Sequence, residues 1–336
     1  MLSTIFIRYG NNVVNIGTAG VSNTSGSYLV SYRPADPGYS SGGPGDAYTG
    51  YIYLPTPYGA IDLRIQVNGP DDVQKVNALQ THFILTPMRI PVRLAPRLTK
   101  HILFDGFSND YIERLLQLTA RLSLFNLPEV GSEIAKVTAI LQLAGLSRGS
   151  YTTPSGVNLT LAKADAAAAV SSVHGGLVSH YFLELQNGWS QLRDEYSGDF
   201  KEHYNVRAFV ASQGYLQLKV DQAVYPVYNI SHNLTSNISY TITFDGKPPV
   251  NGFWSLTVYN ETAYLVANQW NIYSLGDRSA IRYPNCTLVY PRSDSDKNSA
   301  IEFPNCSPPT GSDDNGNFTI LLQTLDIPPP KRYHSK

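Results

Sequence analysis

Charge is scarce in this chain. Only 15% of its 336 residues are Asp, Glu, Lys or Arg, and they nearly cancel to a formal net charge of -1. A near-neutral chain with no basic run interleaved with aromatics lacks the electrostatic footprint of a nucleic-acid binder. No stretch approaches the ~20 consecutive apolar residues needed to span a bilayer. Cysteine and methionine occur 2 times each. Two thiols cannot complete a zinc site unaided, and no C-x-x-C is present. The 7 histidines are scattered, and His174 and His180 stand six apart rather than at the i, i+4 spacing of a helical metal pair. No metal is expected. A P-loop, and a G-x-G-x-x-G behind a strand, are both missing, so no nucleotide cofactor is expected either. Ser255 lacks the flanking glycines of a hydrolase nucleophile elbow and reads as a strand serine.

What is abundant is tyrosine at 23, glycine at 26 and proline at 22. Tyrosine favours a pleated surface, and glycine with proline favours turns, so the composition is that of a turn-rich, mainly β protein. Asn-x-Ser/Thr occurs at Asn23, Asn158, Asn229, Asn233, Asn237, Asn260, Asn285, Asn305 and Asn317. Chance would give about three or four such triplets, so the excess points to N-glycosylation and to the secretory pathway. Cys286 and Cys306 sit in the near-copies YPNCT and FPNCS. A disulfide between them would stabilise by roughly 3 kcal/mol in the chain-entropy picture; two free thiols are the alternative.

Along the chain, SYLVSY, YIYLPTP and AIDLRIQV read as strands, with PADPGYSSGGPGDAYTG as a Gly/Pro/Ser loop between the first two. Asp71 or Asp72 is placed to cap a short helix through Leu79. Apolar residues at helical spacing start at Ile112, behind Ser108 or Asn109 as N-cap, and stop at Pro128. A second helix follows from Ile134 to about Gly145, and a third candidate runs from Ala164 to Leu192. From Arg207 the pattern returns to strands: FVASQGYLQLKV, YTITF, FWSLTVYN, TAYLVAN and the closing FTILLQTLDI. This gives three regions: a β region over 1–107, a helical connector over 108–196 and a β region over 197–336.

Two stretches, FDGKPPVNGFWSLTVYN and NIYSLGDR, resemble a known family. Pro248, Pro249, Phe253, Trp254, Ser255, Leu256, Thr257 and Tyr259, then Asn271, Tyr273, Gly276, Asp277 and Arg278, are similar to the C-terminal module of proteins pairing the domains of unknown function 1254 and 1214. Near the N-terminus NNVVNIGT, GSYLV, PTP, Arg64, GPDD and ALQ resemble the second half of the partner domain. The resemblance implies two jelly-roll-like β-sandwich domains joined by helices, the first truncated at its N-terminus, with a secretion signal lying upstream. A jelly roll lacking its first strands would expose an unpaired edge and express poorly. Ile272, Gln323 and Leu325 stand where relatives carry arginine or tyrosine, which places any shared anionic ligand in doubt.

The resemblance implies no agreed activity, so three classes of function stay open. One is a secreted binding glycoprotein with an aromatic groove for carbohydrate or a small molecule, using Trp254, Tyr259 and Tyr273. Another is a small-molecule hydrolase or lyase with Asp245, Asp277 and Arg278 near the chemistry. The third is a structural or assembly protein, in which a homo-oligomer is the functional form.

Overall fold

The computed structural model describes residues 2–7, 9–18, 20–88, 95–175, 180–228, 238–269, 271–283, 287–291 and 316–324. The chain divides into two compact units, residues 1–67 with 74–228 and residues 68–73 with 229–336.

The first unit opens with two small sheets. Strands β1 (Leu2–Ile7), β2 (Asn12–Gly17) and β6 (Gly59–Arg64) form an antiparallel sheet with β1 in the centre. Strands β3 (Tyr28–Tyr32), β4 (Gly38–Ser41) and β5 (Gly50–Leu54) form the other, in the order β3-β5-β4. Ile5, Val14 and Ile16 of the first sheet pack against Ile52 and Leu54 of the second in one buried cluster. Alternation explains the pairing: Gly50, Ile52 and Leu54 are buried while Tyr51 and Tyr53 face outward. Thr4 breaks the apolar rule, being fully buried with its hydroxyl unpartnered among the described residues. Thr4→Val should therefore stabilise the unit by about 1 kcal/mol, because it removes a desolvated hydroxyl without changing shape. A lower urea midpoint in the variant would refute this.

Helices follow. They are α1 (Val73–Gln80), α2 (Lys100–Phe104), α3 (Tyr111–Ser123), α4 (Ile134–Leu143) and α5 (Leu159–Gly175), with the short β7 (Leu146–Ser147) and β8 (Ser150–Tyr151) between the last two. Asp110, rather than Ser108 or Asn109, caps α3 by accepting from the Glu113 N–H at 2.9 Å. The long third helix expected through Leu192 ends at Gly175, and residues 182–192 instead form the hairpin β9 (Phe182–Glu184) and β10 (Trp189–Leu192). A second correction concerns FVASQGYLQLKV. Its first half is the helix α6 (Tyr204–Gly214), not a strand. Val206, Phe209 and Val210 recur at i, i+3 and i+4, and that face packs on Phe182, Leu192, Phe200 and Val173. Gly214, Val210 and Val220 favour the period of a strand; the buried face decides for a helix.

Strand β11 (Val227–Tyr228) adds to the β9–β10 hairpin. In the second unit β12 (Tyr240–Phe244) pairs antiparallel with β15 (Phe318–Leu322), and β13 (Ser255–Thr257) with β14 (Ser274–Gly276). The described residues thus form a mixed structure of six helices and many strands in sheets of two or three, with no closed barrel. β3 and β5 pair in parallel, a register foreign to an all-antiparallel jelly roll. The jelly-roll expectation is not confirmed by these sheets.

Candidate functional site

The loop from β4 to β5 and the turn at residues 21–24 enclose an open groove of about 690 Å³ in the first unit. That volume lies in the range of small-molecule sites. Its lining combines Tyr39 and Tyr48 with Asp46, Asn23, Ser22, Thr24, Ser41 and Thr49. Two rings, three kinds of hydroxyl, one amide and one carboxylate give both a stacking face and many hydrogen-bonding atoms.

Glycine makes this geometry. A Cβ on Gly50 would lie 2.6 Å from the Tyr39 ring, so only a glycine in β5 lets that ring lie across the strand. A Cβ on Gly42 would meet the Tyr48 carbonyl at 2.1 Å, where the loop closes through the Gly42 N–H to Thr49 O bond of 3.0 Å. Asp46 braces the loop by accepting from the Gly43 N–H at 2.7 Å. Tyr48 meets Tyr51 edge-on at 5.8 Å, and Tyr51 stacks beside Tyr53 at 6.4 Å, which extends the aromatic surface out of the groove. Desolvation first, then the nearby Asp46 charge, holds the Tyr51 hydroxyl above its ordinary value.

The opposite wall is equally fixed. The Gly17 N–H donates to Ser22 O at 2.7 Å and the Val21 N–H to Asn15 O at 2.9 Å. The Tyr28 hydroxyl donates to Thr24 O at 2.6 Å and lies 3.1 Å from Ser22 Oγ.

A second polar cluster in the same unit is closed rather than open. Arg207 and Glu129 form an ion pair at 2.6 Å, each side chain only 12% exposed. The Asn11 amide donates to Glu129 and, at 3.3 Å, to Asp199. Arg207 also donates to Lys201 O at 2.8 Å and lies over the rings of Tyr9 and Tyr204 at 5.3 and 5.5 Å. Burial raises the Glu129 carboxyl above its ordinary value, against the opposing pull of Arg207. Burial likewise raises the Tyr9 hydroxyl, which donates to Asn126 O. Arg207 bonds both Glu129 and Lys201 O through Nη2, while its Nε is buried without a partner among the described residues; the cluster is closed to solvent and reads as a fold-holding network.

The sequence-derived candidates lie in the second unit. Asp277 accepts from the Trp254 N–H at 3.2 Å through Oδ1 and pairs with Arg278 Nε at 3.1 Å through Oδ2. Trp254 donates through Nε1 to the Tyr290 hydroxyl at 2.8 Å, and its ring packs beside Phe244 at 5.0 Å and Phe318 at 6.0 Å. Burial raises the Tyr290 hydroxyl, the Trp254 bond lowers it and the Asp277 charge raises it again. So Trp254, Asp277 and Arg278 are gathered at one place. Asp245 stands exposed in the turn after β12, and Tyr259 and Tyr273 are 56% and 41% exposed. Of the sequon asparagines, Asn23, Asn158, Asn260 and Asn317 are exposed. Asn229, Asn233, Asn237, Asn285 and Asn305, with Cys286 and Cys306, lie outside the described residues.

Residues 2–87 match the family model described as protein of unknown function (DUF1254), and residues 222–331 match that described as protein of unknown function (DUF1214). The chain pairs a DUF1254 segment with a DUF1214 segment. No curated protein and no solved structure matches it. The groove therefore belongs wholly to the DUF1254 segment, while Trp254, Asp277 and Arg278 belong to the DUF1214 segment. Among the described residues no helix is long and apolar enough to cross a membrane. Among the same residues no group of three or more His, Cys, Asp or Glu is placed to hold a metal. Tyr39, Asp46 and Tyr48 belong to no sequence motif of binding or catalysis, and the pattern of their segment alone points to a loop. Its usable signal was a tyrosine at each end of a Gly-rich segment too long for a plain hairpin turn.

Proposed function

We propose that the chain is a secreted glycoprotein that binds carbohydrate in the groove of its DUF1254 segment. The observation that carries this reading is the lining itself. Tyr39 and Tyr48 supply ring faces for the C–H side of a sugar, and Asp46, Asn23, Ser22, Ser41 and Thr49 supply donors and acceptors for its hydroxyls. Such a groove can bind without catalysing anything. The nine sequons support the extracellular setting. Sandwich-like jelly-roll character in the first β region is part of the same reading, supported by Ile5, Val14 and Ile16 of one sheet packing on Ile52 and Leu54 of the other.

Calorimetric titration of bacterially made chain with maltotriose and with triacetylchitotriose tests the binding. At least one should bind, and Tyr39→Ala should weaken it about tenfold, the loss of one stacking face. Gly50→Ala should act in the same direction by pushing the Tyr39 ring aside. Binding of neither sugar, or an unchanged affinity in Tyr39→Ala, would remove the reading. Secretion is tested separately, by the mobility shift on glycosidase treatment after expression in a eukaryotic secretory host.

A further inference from the structure

The groove carries a sequon in its own wall. Asn23 begins the triplet Asn23-Thr24-Ser25, is exposed and lines the hollow together with its neighbours Ser22 and Thr24. We infer that a glycan attached to Asn23 occupies this groove and closes it to free oligosaccharide, so that the acceptor asparagine regulates the site. This rests on the carbohydrate reading above and adds to it a control of the same site.

The turn that holds Asn23 is tied on both sides. Ser22 O accepts from Gly17 N–H at 2.7 Å, Ser22 Oγ lies 3.1 Å from the Tyr28 hydroxyl, and that hydroxyl donates to Thr24 O at 2.6 Å. With the residues before and after it fixed, Asn23 cannot carry its glycan away by moving the backbone. The attached group is bulky, and it is of the same chemical class that the lining recognises. A sugar tethered at the wall is present at an effective concentration on the order of millimolar. A free oligosaccharide held by two rings and a few exposed hydrogen bonds competes poorly against that. The occupied form is thus self-liganded, and the unoccupied form is the receptor.

Three preparations test the inference: chain made in bacteria, chain made in a secretory host, and Ser25→Ala made in the same secretory host. Ser25 does not line the groove, so the change removes the sequon and leaves Asn23 in place. Asn317→Gln, whose sequon lies in the other unit, serves as control. Each is titrated with maltotriose and triacetylchitotriose, and site occupancy is read by peptide mass mapping. The expected result is occupied Asn23, binding at least tenfold weaker in the secreted chain than in the bacterial one, and recovery in Ser25→Ala but not in Asn317→Gln. Equal binding by the bacterial and the Asn23-occupied chain, or an Asn23 that stays unmodified in the secreted protein, overturns the inference and leaves the groove reading intact. Failure of the bacterial chain to bind either sugar removes the groove reading, and this inference with it.

Discussion

Arg207→Ala should lower the stability of the first unit by about 3–5 kcal/mol at neutral pH, the cost of removing one partner from a buried ion pair. The size follows from what the guanidinium does. It neutralises Glu129 at 2.6 Å, satisfies Lys201 O at 2.8 Å and covers the rings of Tyr9 and Tyr204. None of these groups finds a substitute in a methyl side chain. Lysine should not rescue, because one ammonium cannot meet a carboxylate, a carbonyl and two ring faces together. The effect should also depend on pH with a definite sign. Burial already raises the Glu129 carboxyl from an ordinary 4.5, and Arg207 is the chief influence pulling it down. Without Arg207 the carboxyl rises further. A raised folded-state value stabilises fully below the unfolded value and loses that contribution as pH climbs through the folded value. The deficit of Arg207→Ala should accordingly be smallest near pH 4.5 and widen toward neutrality. Urea unfolding of both proteins across that window measures it, and a deficit that is flat or narrows with pH would contradict the assignment.

The same cluster shows why some of the structure was legible in the sequence and some was not. YTITF alternates, FTILL is apolar with an alternating first half, and they became β12 and β15. The spacing of Ile134, Val137, Ile140 and Leu141 gave α4 to within two residues of its end. These are local periodicities, and a period is visible in one dimension. α6 was missed because its buried face is only three residues wide within a segment rich in residues that also suit strands. Glu129 and Arg207 are separated by 78 positions, and nothing in either neighbourhood marks them as partners. The groove was hidden for a similar reason. Tyr39 and Tyr48 flank one loop, but Asn23 and Ser22 reach them only because β3 lies parallel beside β5. By contrast Trp254 and Asp277 were singled out from a motif, and the structure does place them in contact, through the Trp254 backbone N–H rather than through the ring.

A closed network and an open groove in one unit assign different consequences to mutation. Changes in the groove away from the core, such as Tyr48→Ala, should alter affinity with little effect on folding, whereas Tyr39 also packs on the buried cluster of Ile5 and Ile52, so the affinity of Tyr39→Ala is read beside its urea midpoint. Changes in the network should alter folding first. That separation matters for any search for function: a variant that loses both stability and binding says nothing about the groove.

The second large effect is expected at Asn12, which is 1% exposed. Its Nδ2 donates to Ile5 O at 3.4 Å and to Asn15 Oδ1 at 3.1 Å. Its Oδ1 accepts from Asn15 Nδ2 at 2.8 Å and from the Lys219 N–H at 3.4 Å, while its own backbone N–H donates to Gly198 O at 2.7 Å. The side chain thus ties β2 to β1 and to Lys219, and the backbone of the same residue adds the tie to Gly198. Asn12→Asp keeps the shape and replaces both donors with an acceptor, so a carboxylate would face Ile5 O and Asn15 Oδ1. An unpaired charge at a buried site costs more than an unpaired amide. Asn12→Asp should therefore lose more than about 3 kcal/mol at neutral pH, and Asn12→Ala, which leaves neutral groups unsatisfied, should lose less. Repulsion and burial would raise the new carboxyl above the ordinary ~3.9 of aspartate. By the rule applied to Glu129, its folding contribution is most favourable below that value and falls as pH rises through the folded one. The Asp variant should recover relative to the parent on acidification, while the Ala variant should show no such recovery. If Asp and Ala prove equally stable at pH 7, or both hold the parent's urea midpoint, Asn12 is not the tie that its contacts describe.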